Sequence, residues 1–230
     1  MKYFYIYILI LVCFIFLMAY FNSSYRNNFQ NNSKNNFIEG FVKPDTNYIL
    51  MGDGTLNNTV YVPDGQSVNV LLQNITGGQI VCLAKDGTVI ANVYTQLSSI
   101  PTSLETNNTK ILLSVGLNDI LNLNLNNIAP DTIPLLFIKF TKLVETIQNA
   151  VPNIQIVIFD ICFVEKYQEY YSIIQEWNTL LFKYIMNNNL NYSFEFFRTS
   201  FALKQADDFT SDGQISAIGS QHLVNAIQNM

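Results

Sequence analysis

Residues 48–61 read Tyr-Ile-Leu-Met-Gly-Asp-Gly-Thr-Leu-Asn-Asn-Thr-Val-Tyr (YILMGDGTLNNTVY). An apolar run breaks into Gly52-Asp53-Gly54 and then into short polar residues. That pattern predicts a buried strand ending in a tight turn. In an open α/β sheet such a turn lies at the carboxyl end of its strand, where ligands bind. The tip of this turn is Gly54, which has no side chain to offer.

Working outward, strands and helices alternate. Strand character is expected at 48–51, 79–84, 110–115, 154–159 and 192–197. Helical spacing runs through 66–75, 88–98, 132–149, 165–187 and 216–228, with Pro134 in the first turn of the third helix. Short, fully apolar strands between helices indicate a parallel sheet covered on both faces. The expected fold class is therefore α/β, a three-layer α/β/α domain of flavodoxin-like type with five parallel strands, over residues 46–230.

Upstream, residues 3–21 (YFYIYILILVCFIFLMAYF) carry no charge. Such a run is just long enough to cross a bilayer as a helix. Lys2 precedes it and aromatic residues cluster at its ends, as membrane interfaces favour. The expectation is an N-terminal transmembrane anchor over 1–21, and a membrane is the expected partner of 3–21. A cleaved signal peptide, with secretion, is the alternative. Lys2 on one side, with Arg26 and Lys34 on the other, leaves sidedness open. Residues 22–45 are polar and asparagine-rich and read as a disordered linker.

The net charge of −5 over 230 residues provides no basic face for nucleic acid. Three cysteines (Cys13, Cys82, Cys162) make no disulfide framework; the last two read as small buried hydrophobes. A lone histidine, His222, rules out a histidine-rich metal site, so neither metal nor cofactor is expected. The abundance of asparagine reads as codon bias of an AT-rich genome, as in large DNA viruses or AT-rich protists. It also generates sequons at Asn22, Asn57, Asn74, Asn107 and Asn191, which carry little weight in so asparagine-rich a chain.

The residues after each strand collect the chemistry. Strand one is followed by Gly52-Asp53-Gly54-Thr55, strand two by Lys85-Asp86-Gly87-Thr88, and strand three by Gly116-Leu117-Asn118-Asp119. Asp160 follows strand four. The last loop holds Asp207, Asp208, Asp212, Gly213, Gln214 and Ser216. In block order and position these segments resemble the SGNH, or GDSL-type, hydrolase superfamily over nearly all of residues 46–229. Gly52-Asp53-Gly54 stands for the GDS block and Leu83–Thr88 for the glycine block; Gly116-Leu117-Asn118-Asp119 is an intact GxND block. The stretch GDGTLNNTVYV is also similar to a family branch reading GDS-x-x-DN-x-x-YV.

The resemblance implies an esterase chemistry. A serine after strand one attacks an ester carbonyl, donors at the glycine and asparagine blocks hold the oxyanion, and a histidine three residues after an aspartate acts as base. By position, Gly54 is the vacant nucleophile site and Gly87 and Asn118 are the oxyanion donors. Asp53, Thr55, Asp119, Asp208, Gln214 and Ser216 form the expected pocket rim. The departures are two: glycine replaces the nucleophile, and Asp212-Gly213-Gln214-Ile215 puts isoleucine where the histidine belongs. An alternative alignment of the last block keeps Asp208, Ser216 and Gly219 but turns a glutamate into Gln214.

Plainer roles stand beside these. Asn118 can bond the neighbouring loop, Asp119 can cap the helix after strand three, and Asp53 can bond its own turn. His222 reads as a helix-surface residue, and Thr55 as a poorly placed substitute nucleophile. The leading expectation is a membrane-tethered esterase scaffold without hydrolysis, binding an acyl-ester or glycan ligand or a protein partner. The alternatives are an active esterase with an atypical nucleophile and a structural surface protein.

Overall fold

The computed structural model describes residues 45–188 and 193–230, which fall within one compact unit. The expected anchor over 3–21, and all of the expected linker over 22–45 except Asp45, lie outside the described residues. Among the described residues, no helix is long and apolar enough to cross a membrane.

Five parallel strands form one sheet in the order β2-β1-β3-β4-β5, with β1 at Asn47–Gly52, β2 at Ile80–Cys82, β3 at Thr109–Ser114, β4 at Gln155–Phe159 and β5 at Phe194–Phe197. This is the flavodoxin-like order expected. β1 and β3 pair over six residues, from Asn47↔Thr109 to Gly52↔Ser114. The order reverses direction at β1, so the turn after Gly52 lies at the topological switch point.

Alternation along each strand sends neighbouring side chains to opposite faces. Ile49, Met51, Ile111, Leu113, Ile156 and Ile158 pack on one face. They meet α2 (Ile90–Leu97), α4 (Thr132–Ala150) and α5 (Tyr171–Asn188). Leu50, Leu112, Val157 and Phe159 pack on the other, against α1 (Val68–Ile75) and α7 (Ala217–Gln228). With both faces covered, the middles of β1, β3 and β4 are apolar on both sides, which is why no polar alternation marks them in the sequence.

Two short helices follow strands β3 and β5: α3 (Leu117–Leu121) and α6 (Thr199–Ala202). Neither is visible as a period in the sequence, since each is barely one turn. The helix expected over 165–187 splits. Glu165–Tyr170 is 3₁₀, non-helical at Tyr167, and regular α-helix starts only at Tyr171. The Tyr167 ring is drawn instead against the last loop, where a Cβ on Gly213 would meet it at 3.2 Å. Cys82 and Cys162 are half-buried rather than buried. Burial pushes the Cys162 thiol up to about 12, with Asp160 adding to it.

The end of β1 is held from both sides. Gly52 has φ +111, and a Cβ there would lie 1.7 Å from Ser114 O, so only glycine fits. Its N–H donates to Gln96 Oε1 at 2.7 Å, and Gln96 Nε2 donates back to Gly52 O at 3.0 Å. Gln96 is a buried residue on an otherwise apolar helix face. Replacing Gln96 by leucine orphans the Gly52 N–H in a dry interior, and unfolding in urea is expected to show a loss of about 1–3 kcal/mol.

Candidate active site

The turn after β1 is built on Asp53. Its N–H donates to Ser114 O at 2.8 Å. Its Oδ1 accepts from Thr55 N at 3.0 Å and from Ser114 Oγ at 3.1 Å. This is the own-turn role expected of it, with a cross-strand bond added. Burial raises the Asp53 carboxyl to about 6; the bonds from Thr55 and Ser114 oppose this, and the charge of Asp86 adds to it.

Gly54 is not an open vacancy. A Cβ built on it would lie 2.8 Å from Asp86 Oδ1 and 3.3 Å from Gln214 Oε1. The space a serine side chain would enter is bordered by two oxygen atoms from two other loops. Asp86 is itself fixed. The Tyr61 hydroxyl donates to its Oδ2, and Gly87 N donates to its Oδ1 at 2.9 Å. Tyr61 shows the effect, its phenol pushed up to about 12 chiefly by that bond.

Both expected oxyanion donors therefore have acceptors within the protein. Gly87 N is taken by Asp86, and Asn118 Nδ2 donates to Thr88 O at 3.1 Å. Asn118 thus meets the loop that carries Gly87, the bond to a neighbouring loop that was its plainer role. Asp119 does cap a helix, but not the one it begins. Its Oδ2 accepts from Ile90 N at 2.9 Å, at the start of α2. The helix after β3 instead starts at Gly116, whose φ of +119 leaves no room for a Cβ beside Trp177.

Two of the expected rim residues belong elsewhere. Ser216 is the N-cap of α7: its Oγ accepts from Gly219 N at 3.1 Å and donates to Asp207 O at 2.6 Å. Asp208 is fully buried and faces His222, with Oδ1 2.6 Å from Nδ1. His222 is accordingly not a free helix-surface residue. Ile215, at the histidine position of the first alignment, is a core residue against α1 and α7.

A small cavity of about 40 Å³ lies under the rim, lined by Asp53, Thr55, Ser114, Asp160, Thr199 and Gln214 among others. Asp160 accepts from Thr199 N at 2.6 Å, and burial raises its carboxyl. The reading from sequence passed over Asp86, Gln96 and Ser114 as site residues. Asp86 alone left a signal, since it directly precedes Gly87.

Asn58 closes the arrangement. It is fully buried, its Oδ1 accepting from Val68 N at 3.1 Å and its Nδ2 donating to Ile215 O at 3.1 Å and Ser220 Oγ at 2.6 Å. Asn57 Nδ2 donates to Ala84 O at 2.7 Å. Two asparagines of one turn thus tie the β1 loop to the β2 loop, to α1 and to α7.

Comparison with solved structures places this arrangement. A lipolytic protein of the G-D-S-L family from Veillonella parvula superposes with a TM-score of 0.65 at 15% identity, over 80% of this chain and 97% of that one. An extracellular lipase from Streptomyces rimosus gives 0.59 at 14% identity, over 80% and 99%. The esterase EstA from a Pseudoalteromonas species gives 0.57 at 15% identity, over 80% and 96%. No family model and no curated protein matches the sequence. The domain has the SGNH/GDSL hydrolase fold.

Asp53 supplies a test of the site's electrostatics. Its folded value of about 6 stands above the ordinary 3.8, a gap of about 3 kcal/mol. Between those values the folded state holds a proton that the unfolded chain has released, so stability rises as pH falls through this window. Above about pH 6 the burial penalty is present in full. The stability of the wild type relative to Asp53→Asn is expected to improve by about 1 kcal/mol from pH 7 to pH 5 in urea titrations.

Proposed function

We propose that this protein is a membrane-anchored domain of hydrolase fold that has lost ester hydrolysis and uses its rim to bind an acyl-ester or glycan ligand or a protein partner. The observation that carries the reading is the Asp86 carboxylate beside the Gly54 Cβ position, 2.8 Å away. Ester hydrolysis develops negative charge on the substrate oxygen, and a working site meets it with unpaired donors. Here a carboxylate lies in that neighbourhood and takes the Gly87 N–H for itself. The polarity is reversed from what the reaction needs.

Magnitudes support the same reading. Loss of a hydrolase nucleophile costs roughly 10⁶ in rate. Loss of one oxyanion donor costs about another 10²–10³. No histidine is available at the rim either, since His222 pairs with Asp208 in a separate groove. The anchor rests on the uncharged run 3–21. Membranes carrying the full chain should retain it through alkaline carbonate washing, and release into the supernatant would remove the anchor from this reading.

A second reading has one observation in its favour. Thr55 adjoins Asp53, which accepts its N–H at 3.0 Å and has the raised carboxyl of a candidate base. The two separate on p-nitrophenyl acetate. The full chain in detergent is expected to give no turnover above buffer, and Gly54→Ser alone is expected to restore none, because Ile215 occupies the place of the base. Wild-type turnover that vanishes in Thr55→Ala, with labelling of a rim residue by a fluorophosphonate probe, would establish the second reading instead.

A further inference from the structure

The groove between the α6 loop and α7 holds the one histidine of the chain, the Asp208–His222 pair and Lys204. Its volume is about 290 Å³, and its walls include Phe201, Lys204, Gln205, Asp208, His222 and Asn225. None of these residues lines the cavity below Gly54. It is a separate place on the surface.

Asp208 is fully buried. Its Oδ2 accepts from Gln205 N at 2.8 Å and its Oδ1 lies 2.6 Å from His222 Nδ1. A carboxylate accepts, so Nδ1 carries the hydrogen and the ring orientation is fixed. The His222 side chain is still 38% exposed, which leaves Nε2 to other partners. A purely structural latch would use only the Nδ1 side. The other groups in the groove point to a ligand. Lys204 makes no ion pair among the described residues, in a chain of net charge −5. Its ammonium lies instead 5.7 Å from the Phe201 ring, which is 61% exposed. Asn225 accepts from Gln221 Nε2 through its Oδ1 at 2.9 Å, so its own amide hydrogens are available.

We propose that this groove is a binding site for a phosphate monoester with a flat apolar body. Lys204 and Asn225 donate to the phosphate oxygens. His222 Nε2 shares one proton with the ligand, whose second ionisation falls near pH 6. The exposed Phe201 ring provides the apolar shelf for the ester group. The size of the groove suits a small molecule and not a folded partner.

The lone histidine makes the test direct. Residues 45–230 carry both core faces, so this domain is expected to fold without the preceding segment, and the full chain in detergent carries the same single histidine. In a ¹⁵N-labelled domain, every imidazole signal belongs to His222. At fixed pH and ionic strength, inorganic phosphate is expected to move the Nε2 resonance saturably below about 20 mM, with phenyl phosphate acting at lower concentration. Lys204→Ala is expected to weaken both about tenfold, the loss of one charge-assisted bond. Phe201→Ala should erase the advantage of phenyl phosphate while leaving inorganic phosphate unchanged. An Nε2 resonance indifferent to both probes, or a Lys204→Ala domain responding as the wild type does, overturns the proposal. Both variants alter exposed side chains, so their folding is not at issue.

Discussion

The close approach of β1 and β3 at Gly52 and Ser114 is the constraint on which the rest of the site depends. Without a side chain, Gly52 brings its Cα against the Ser114 carbonyl, and the following N–H of Asp53 then reaches that same oxygen at 2.8 Å. Gln96 seals the other side by satisfying both backbone groups of Gly52. The turn that carries Gly54 is therefore fixed by backbone contacts to two neighbouring elements before any rim side chain matters. Asp53 is the consequence: a carboxyl carried into the interior by the turn and kept there by donors from Thr55 and Ser114.

That turn fixes the position of Gly54, and two other loops come up beside it. Asp86 from the β2 loop and Gln214 from the last loop border the missing side chain. Tyr61 and the Gly87 N–H hold Asp86 there. A glycine in place of a serine removes one atom group. On the reading proposed above, the electrostatic departure is the larger one, because the Asp86 oxygen lies beside the Gly54 Cβ position. The fold of an ester hydrolase and the polarity of its site are separate properties, and sharing the first does not carry the second.

Strand alternation and helix periodicity carried most of the architecture. Five apolar strands, each bounded by glycine or polar turns, required a parallel sheet with two covered faces, and the order β2-β1-β3-β4-β5 followed. The α6 turn and the irregular Glu165–Tyr170 segment were not legible, because each is set by what it packs against and not by a period. In the site, the first two loop blocks meet where Asp86 borders Gly54, and the third meets the second through Asn118 and Thr88. Loop membership and the alternative alignment of the last block put Ser216 and Asp208 on the same rim. The loop between α6 and α7 has two sides, and the Phe209↔Ile215 bridge decides which residue faces which.

By itself, then, the sequence determined the sheet, its covered faces and the absence of a serine at the Gly54 tip, because these are written in local patterns of apolar and small residues. Only the tertiary structure decided what stands beside that tip, which helix Asp119 caps, and that Asp208 belongs to His222. Each of those is a contact between residues far apart in the chain: Asp86 with Gly54, Asp119 with Ile90, Asp208 with His222. Local patterns restrict the backbone of a segment, whereas the partner of a polar side chain is chosen by which loops the finished sheet brings within hydrogen-bonding distance.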